Sequence, residues 1–237
     1  MRFLKKNILY QLLFVLVCVH TNYAQTPLNP LLLLKAPSQQ KEQYQFYSFE
    51  NETISLYEIN MDSNYYKIWE YQLLKNKEAE IISMLFGDIT GNGEQELIVL
   101  LYVFGEYGEI YVFPTNNNIP TQPPSIYTLS SLRKGTKPME ASLIKWDEDK
   151  DSEIILTLSS PERKVLLLDY RITQLEPIQQ IAQDFMGTTY GPVSMEVFDY
   201  NQDGAEDFLL YALGEDSERY LALTNQTEKQ QKILTQE

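Results

Sequence analysis

Cysteine and histidine are almost missing from this chain of 237 residues. There is one of each, Cys18 and His20, and both fall within the first 24 positions. In that stretch Arg2, Lys5 and Lys6 precede an apolar run from Ile8 to Val19, and Asn22-Tyr23-Ala24 stands ahead of Gln25. This is the layout of a secretory signal peptide over residues 1–24. The apolar run is shorter than the ~18–20 residues of a membrane-spanning helix. Val17 ahead of Cys18 is not the small residue that a lipoprotein signal places there. A mature chain from Gln25 therefore has neither cysteine nor histidine. Disulfide staples, histidine-based triads, cysteine nucleophiles and zinc sites built on these residues are excluded.

Positive charge is scarce too, with 19 Lys and Arg against 33 Asp and Glu, for a net charge of −14. Removing the signal takes three basic residues and no acidic one, leaving 16 against 33 and a net −17. Such a surface repels nucleic acid and anionic lipid. The chain is expected to have no nucleic-acid partner, no transmembrane segment once the signal is gone, and a secreted or extracytoplasmic address. A phosphate-binding loop, a dinucleotide fingerprint and a nucleophile elbow are all lacking. Helical periodicity is scarce: only residues 176–185 are compatible with a short helix, and Pro177 stands early in them.

What is present is strand. QYQFYSFE, TISLYEIN, YKIWEYQLL and EIISMLF are short runs rich in aromatic and β-branched residues, separated by Asn, Asp, Lys and Glu. ELIVLLY, EIYVFPT, SIYTLSS and MEASLIKW continue the rhythm around a turn-rich excursion at 116–124. EIILTLS, KVLLLDY, LEPIQQI and VSMEVFD follow, then DFLLYAL, RYLALTN and KQQKILTQE. This grouping makes three sets of four strands and a last set of three. Leu31 to Leu34, in the N-terminal segment 25–42, is expected to supply the missing closing strand, with the repeats over 43–237.

Between these sets lie acidic loops. MEVFDYNQDGAEDFLL, residues 195–210, places Asp199, Asn201, Asp203 and Asp207 at ranks 1, 3, 5 and 9, with Gly204 at rank 6. Calcium takes six to eight oxygen ligands from carboxylates, side-chain amides and backbone carbonyls. In a curled loop alternate side chains point inward, a glycine permits the sharp turn, the carbonyl of Ala205 at rank 7 can face the ion, and Asp207 can close the shell. An EF-hand would need a Glu at rank 12 and flanking helices, whereas rank 12 here is Leu210 between apolar runs. LFGDITGNGEQELIVLL repeats the arrangement with Asp88, Thr90, Asn92, Gly93, Glu94 and Glu96 at ranks 1, 3, 5, 6, 7 and 9. A looser copy, LIKWDEDKDSEIILTL, carries Asp147, Asp149, Asp151 and Glu153, with Glu153 two places early and no glycine. Repeats more than 50 residues apart suit a four-stranded propeller blade.

These three segments resemble the FG-GAP or VCBS repeats of integrin-alpha-type β-propellers, in which an Asp/Asn calcium loop precedes a short hydrophobic strand. The resemblance covers residue 80 to about 223. It implies a propeller fold with structural calcium and adhesion or binding of a protein or glycan ligand on an extracytoplasmic surface; the strand count makes this an all-β propeller of about four blades, or an incomplete one or one closed by a partner or second copy, since integrin-type propellers have more blades than this chain can supply. It implies no shared activity, since such repeats also decorate enzymes. Two functional classes follow: a non-catalytic, calcium-binding propeller module, and an extracytoplasmic polysaccharide hydrolase or lyase on the same scaffold. The sequence singles out no carboxylate pair for the second outside the loops. Trp69, Trp146 and the 17 tyrosines suit cross-strand pairs and core as well as a sugar platform.

Overall fold

The structure of the chain, a computed structural model, describes residues 30–35, 44–59, 64–73, 78–146, 149–159, 162, 164–171, 174–181, 189–199, 202, 206–214, 218–223 and 232–235. The signal segment 1–24 lies outside the described residues. Every regular element among the described residues is a strand, and no helix there is long and apolar enough to cross a membrane. The chain falls into two compact units, Met1–Leu73 and Leu74–Glu237.

The first unit holds one antiparallel sheet of β1 (Pro30–Lys35), β2 (Tyr44–Glu50), β3 (Thr53–Ile59) and β4 (Tyr65–Gln72), in that order. Asn51 and Glu52 take φ of 50° and 63° between β2 and β3, which matches the twist a two-residue hairpin requires. Aromatic pairs bind the strands together on both faces. Phe46 stacks on its cross-strand neighbour Tyr57 at 5.1 Å, and Tyr65 meets both edge-on. On the other face Tyr47 meets Trp69, which lies nearly parallel to Tyr71. Trp69 and these tyrosines are thus strand-to-strand contacts.

The second unit holds three more sheets. The second is β5 (Ala79–Gly87), β6 (Glu96–Val103), β7 (Gly108–Asn116), β8 (Ile119–Pro120) and β9 (Ser125–Thr128), where β8 and β9 share the outer edge of β7. The third is β10 (Pro138–Ile144), β11 (Glu153–Leu158), β12 (Val165–Arg171) and β13 (Gln174–Ile181). The fourth is β14 (Thr189–Phe198), β15 (Asp207–Gly214), β16 (Glu218–Leu223) and β17 (Lys232–Thr235). All neighbouring strands are antiparallel.

The third sheet is buried on both faces, which explains its unbroken apolar runs. Ile154, Leu156, Leu158, Leu166 and Leu168 face the second sheet and pack with Ile98, Leu100, Ile110 and Val112. The alternate residues Ile155, Val165 and Leu167 face the fourth and pack with Met195, Phe208 and Leu210. A strand with one wet face would alternate with polar residues; one between two sheets cannot.

Two expectations need correction. The acidic loops lie within sheets, between the first and second strands, and not between one sheet and the next. EIISMLF consequently belongs to the second sheet as β5, and MEASLIKW and VSMEVFD open the third and fourth. Leu31 to Leu34 does not complete the last sheet: β1 pairs with β2, and the last sheet takes its fourth strand from Lys232–Thr235. The part of 176–185 that is described is edge strand. Pro177, which has no N–H to donate, sits there where the β12–β13 register shifts.

Candidate metal loops and the adjoining cleft

The strand register defines the loops more sharply than their acids do. Lys35 pairs with Tyr44, Gly87 with Glu96, Ile144 with Glu153 and Phe198 with Asp207. Each sheet therefore has an eight-residue connection between its first two strands: 36–43, 88–95, 145–152 and 199–206. Ranks counted from these ends put Asp88, Lys145 and Asp199 at rank 1 and Glu96, Glu153 and Asp207 at rank 9. The looser copy is in register after all. Asp147, Asp149, Asp151 and Glu153 hold ranks 3, 5, 7 and 9, and a lysine, Lys145, stands where the other two loops have their leading aspartate. Its first acid, Asp147, stands at rank 3 and not at rank 1.

The rank-9 acids of these three loops are buried. Glu96 is 2 % exposed, and Glu153 and Asp207 are 1 % exposed. Each begins the second strand of its sheet, and in the two loops described there it closes the loop in the same way. The Ile89 N–H donates to Glu96 Oε2 at 3.0 Å, and the Trp146 N–H to Glu153 Oε2 at 2.7 Å. Both donors are at rank 2, and their side chains are anchors. Ile89 is fully buried in the core between the second and third sheets, and Trp146 packs on Phe208 between the third and fourth. Thr90 Oγ1 adds a hydrogen bond to Glu96 Oε1 at 3.2 Å. Burial raises the Glu96 pKa, the Ile89 and Thr90 bonds oppose the rise, and Asp88 and Glu94 add to it.

In the first loop Asp88 is turned back onto its own backbone. Its Oδ1 accepts from the N–H groups of Thr90 (3.3 Å) and Gly91 (2.8 Å), and its Oδ2 from that of Gly93 (2.8 Å). Asn92 Oδ1 accepts from the Glu94 N–H at 2.6 Å. Gly93 at rank 6 has φ +83°, in line with the turn expected there. Gly91 at rank 4 is left-handed as well (φ +68°), and so is Gln202 at rank 4 of the last loop (φ +61°). This second left-handed position was not legible, because Gln202 carries no signal for it.

Successive loops touch. The Ser152 N–H, rank 8, donates to the Asp88 carbonyl, rank 1 of the preceding loop, at 2.8 Å. The Lys145 N–H, again rank 1, donates to Glu206 Oε2, rank 8 of the following loop, at 2.8 Å. Deeper down, the Ala141 N–H donates to Ser83 Oγ and the Met195 N–H to Glu140 Oε2. The first strands β5, β10 and β14 are thereby stapled in sequence.

Of the expected ligands, Asp88, Thr90, Asn92, Glu94 and Glu96 come together in one loop. Asp149 is exposed and Asp151 half-buried, lying against Gly91. Asp199 is exposed and Asp207 buried at opposite ends of the last loop. Asp147, Asn201, Asp203 and Ala205 lie outside the described residues. Among the described residues no three acidic side chains converge as a group that could hold a metal. The first loop has two carboxylates at its ends, supplemented by an amide, a hydroxyl and carbonyls.

Beside the first loop opens a cleft of about 430 Å³ lined by Thr90, Asn92, Glu96, Val112, Pro114, Ser125 and Tyr170. It joins the second sheet to β12 of the third. The Tyr170 ring meets Tyr127 edge-on at 6.2 Å. The Tyr127 pKa is pushed up to about 12 by burial and by its hydrogen bond with Tyr170, against a lowering bond from Ser125.

No known family's sequence profile matches the chain, and no curated protein matches it. Among solved structures it is similar to BBS1N, a β-propeller crystallised in complex with ARL6DN and soaked with lead. The TM-score is 0.50 at 14 % identity, over 90 % of this chain and 58 % of that one. At that identity the likeness concerns fold alone, and this chain spans little more than half of its neighbour. Among the described residues the chain is all-β, its strands forming four antiparallel sheets, and the solved structure it is similar to is a β-propeller.

Proposed function

We propose that this chain is an exported, non-catalytic β-propeller module of the FG-GAP/VCBS type, stabilised by calcium and acting by binding a protein or glycan on its loop-bearing side. The observation that carries this reading is the recurrence of one eight-residue acidic loop at one place in three consecutive sheets, each ending on a buried acid. The three loops share length and rank-9 burial, and hydrogen bonds join the first to the middle and the middle to the last.

Calcium fits the first loop. The Asp88, Asn92 and Glu96 side-chain oxygens accept hydrogen bonds from groups of the loop itself, which holds them in the loop. A carboxylate offers roughly four lone-pair sites, of which Asp88 uses three and Glu96 two. A divalent cation bound there would neutralise the two carboxylates and pin the loop. The last loop, with Asp199, Asn201, Asp203 and Asp207, has more charge and is the tighter site, since ligand charge sets affinity. The middle loop has Lys145 in the leading place and is read as a charged hairpin held by its neighbours. Its tie to the rest is the rank-1 and rank-8 hydrogen bonding, which needs no ion.

The cleft beside the first loop supports a binding role. A glycosidase needs two carboxyl groups across the scissile bond, and among the described residues that line this cleft Glu96 is the one carboxylate. Calorimetric titration of the mature chain with calcium tests the metal reading. The expected result is binding that is lost at the tighter site in Asp203→Ala and at the weaker site in Asp88→Ala. Heat of dilution alone, in parent and variants, would reject it.

A further inference from the structure

We infer that the middle loop couples the two outer ones, so that an ion held in the first loop tightens binding in the last. This rests on the reading of those two loops as calcium sites and adds a regulation of them. The middle loop grips each neighbour with one end. Its rank-8 amide, Ser152, donates to the carbonyl of Asp88 at 2.8 Å, and Asp88 leads the first site. Its rank-1 amide, Lys145, donates to Glu206 Oε2 at 2.8 Å, and the next residue, Asp207, closes the last site. A packing contact backs each hydrogen bond. The Asp151 side chain lies against Gly91 of the first loop, and the Trp146 ring meets Phe208, which follows Asp207, at 6.0 Å.

The two ends are also tied to each other. Glu153, next to Ser152, accepts the N–H of Trp146, next to Lys145, at 2.7 Å, and its side chain is buried. One unbroken path of bonds therefore runs from the Asp88 carbonyl through Ser152, Glu153, Trp146 and Lys145 to Glu206. Holding a loop in one conformation costs conformational entropy. An ion in the first loop fixes the Asp88 carbonyl, which holds the Ser152 end of the middle loop and, through Glu153, the Lys145 end that bonds Glu206. The second ion then meets a junction already in order, and positive coupling follows without a change of shape. Lys145 suits this part. At rank 1 it offers no carboxylate, so the middle loop lacks the leading ligand and carries order instead of an ion.

Calorimetric titration of the mature chain with calcium tests this by comparing affinity at the last loop when the first can bind and when Asp88→Ala disables it. Measured couplings between sites begin at about fivefold, and a weakening of at least that size is expected in Asp88→Ala. Asp203→Ala should weaken the first loop by the same factor, because coupling between two ligands is reciprocal. Glu206 supplies the control. Glu206→Gln and Glu206→Ala lose the same charge, but only glutamine keeps an acceptor for the Lys145 N–H, so the factor should persist in the first and disappear in the second. Amide hydrogen exchange reads the relay apart from affinity. In Asp203→Ala, with calcium in the first loop alone, exchange at Lys145 should slow. Calcium heats at both loops with no difference between parent and Asp88→Ala would overturn the inference and leave the calcium reading intact. A factor that survives in Glu206→Ala, or exchange at Lys145 that ignores calcium, would overturn it as well. No heat at either loop would reject the calcium reading, and this inference with it.

Discussion

The acids that matter most for holding the loops are not the exposed ones that make the motif visible. Glu96 and Glu153 are buried, and each accepts the rank-2 N–H of its own loop. Truncating either leaves that amide without its acceptor, at a cost of about 1–3 kcal/mol. Glu153→Ala should therefore lower stability in urea by that much, and Asp149→Ala, an exposed site, by far less. Equal effects would contradict the assigned roles. Backbone handedness divides the glycines in the same spirit. At Gly93 a side chain would meet open space, so only its φ of +83° opposes substitution. Gly93→Ala should cost ~1–2 kcal/mol for a left-handed residue. Gln202, already left-handed, should become no less stable as glycine. Chemical unfolding of the two variants checks both signs.

At the level of elements, β11 and β12 are the sandwiched strands, and their alternate residues serve two different cores. Leu156 points into the core shared with the second sheet and is fully buried. Leu156→Ala should cost ~2–5 kcal/mol, measured by urea unfolding. The staple between β10 and β14 gives a pH dependence. Burial raises the Glu140 carboxyl above its ordinary 4.5, the Met195 N–H opposes this, and the Glu196 charge adds to it. The folded chain keeps this proton to a higher pH than the unfolded chain does. Its stabilising contribution is therefore full below 4.5 and lost as pH rises through the raised value. In Glu140→Gln an acceptor for Met195 remains and nothing titrates, so part of the fall in melting temperature over that window should disappear. A profile parallel to that of the parent chain would contradict the assignment.

For the molecule as a whole, strand content and the repeated loop were legible in sequence, because two-sided burial writes continuous apolar runs and the loops carry polar and acidic residues at alternate positions. Where a sheet begins was not. A run such as EIISMLF has the same composition whether it ends one meander or starts the next, and only hydrogen-bond pairing decides. The rank of the middle loop was lost for a related reason. Its leading position is Lys145, and nothing in a lysine announces a place usually held by aspartate. Counting back from Glu153, the acid that opens the strand, would have recovered it. The rank-2 anchors Ile89 and Trp146 were equally visible as apolar residues inside acidic loops.

Thermal unfolding of the mature chain with saturating calcium and with a chelator tests the central claim most directly. Ligands that bind only the folded state stabilise it by mass action. The account predicts a melting temperature several degrees lower in chelator for the parent chain, with most of that difference gone in Asp203→Ala. Coincident transitions with and without calcium, in parent and variant alike, would contradict it.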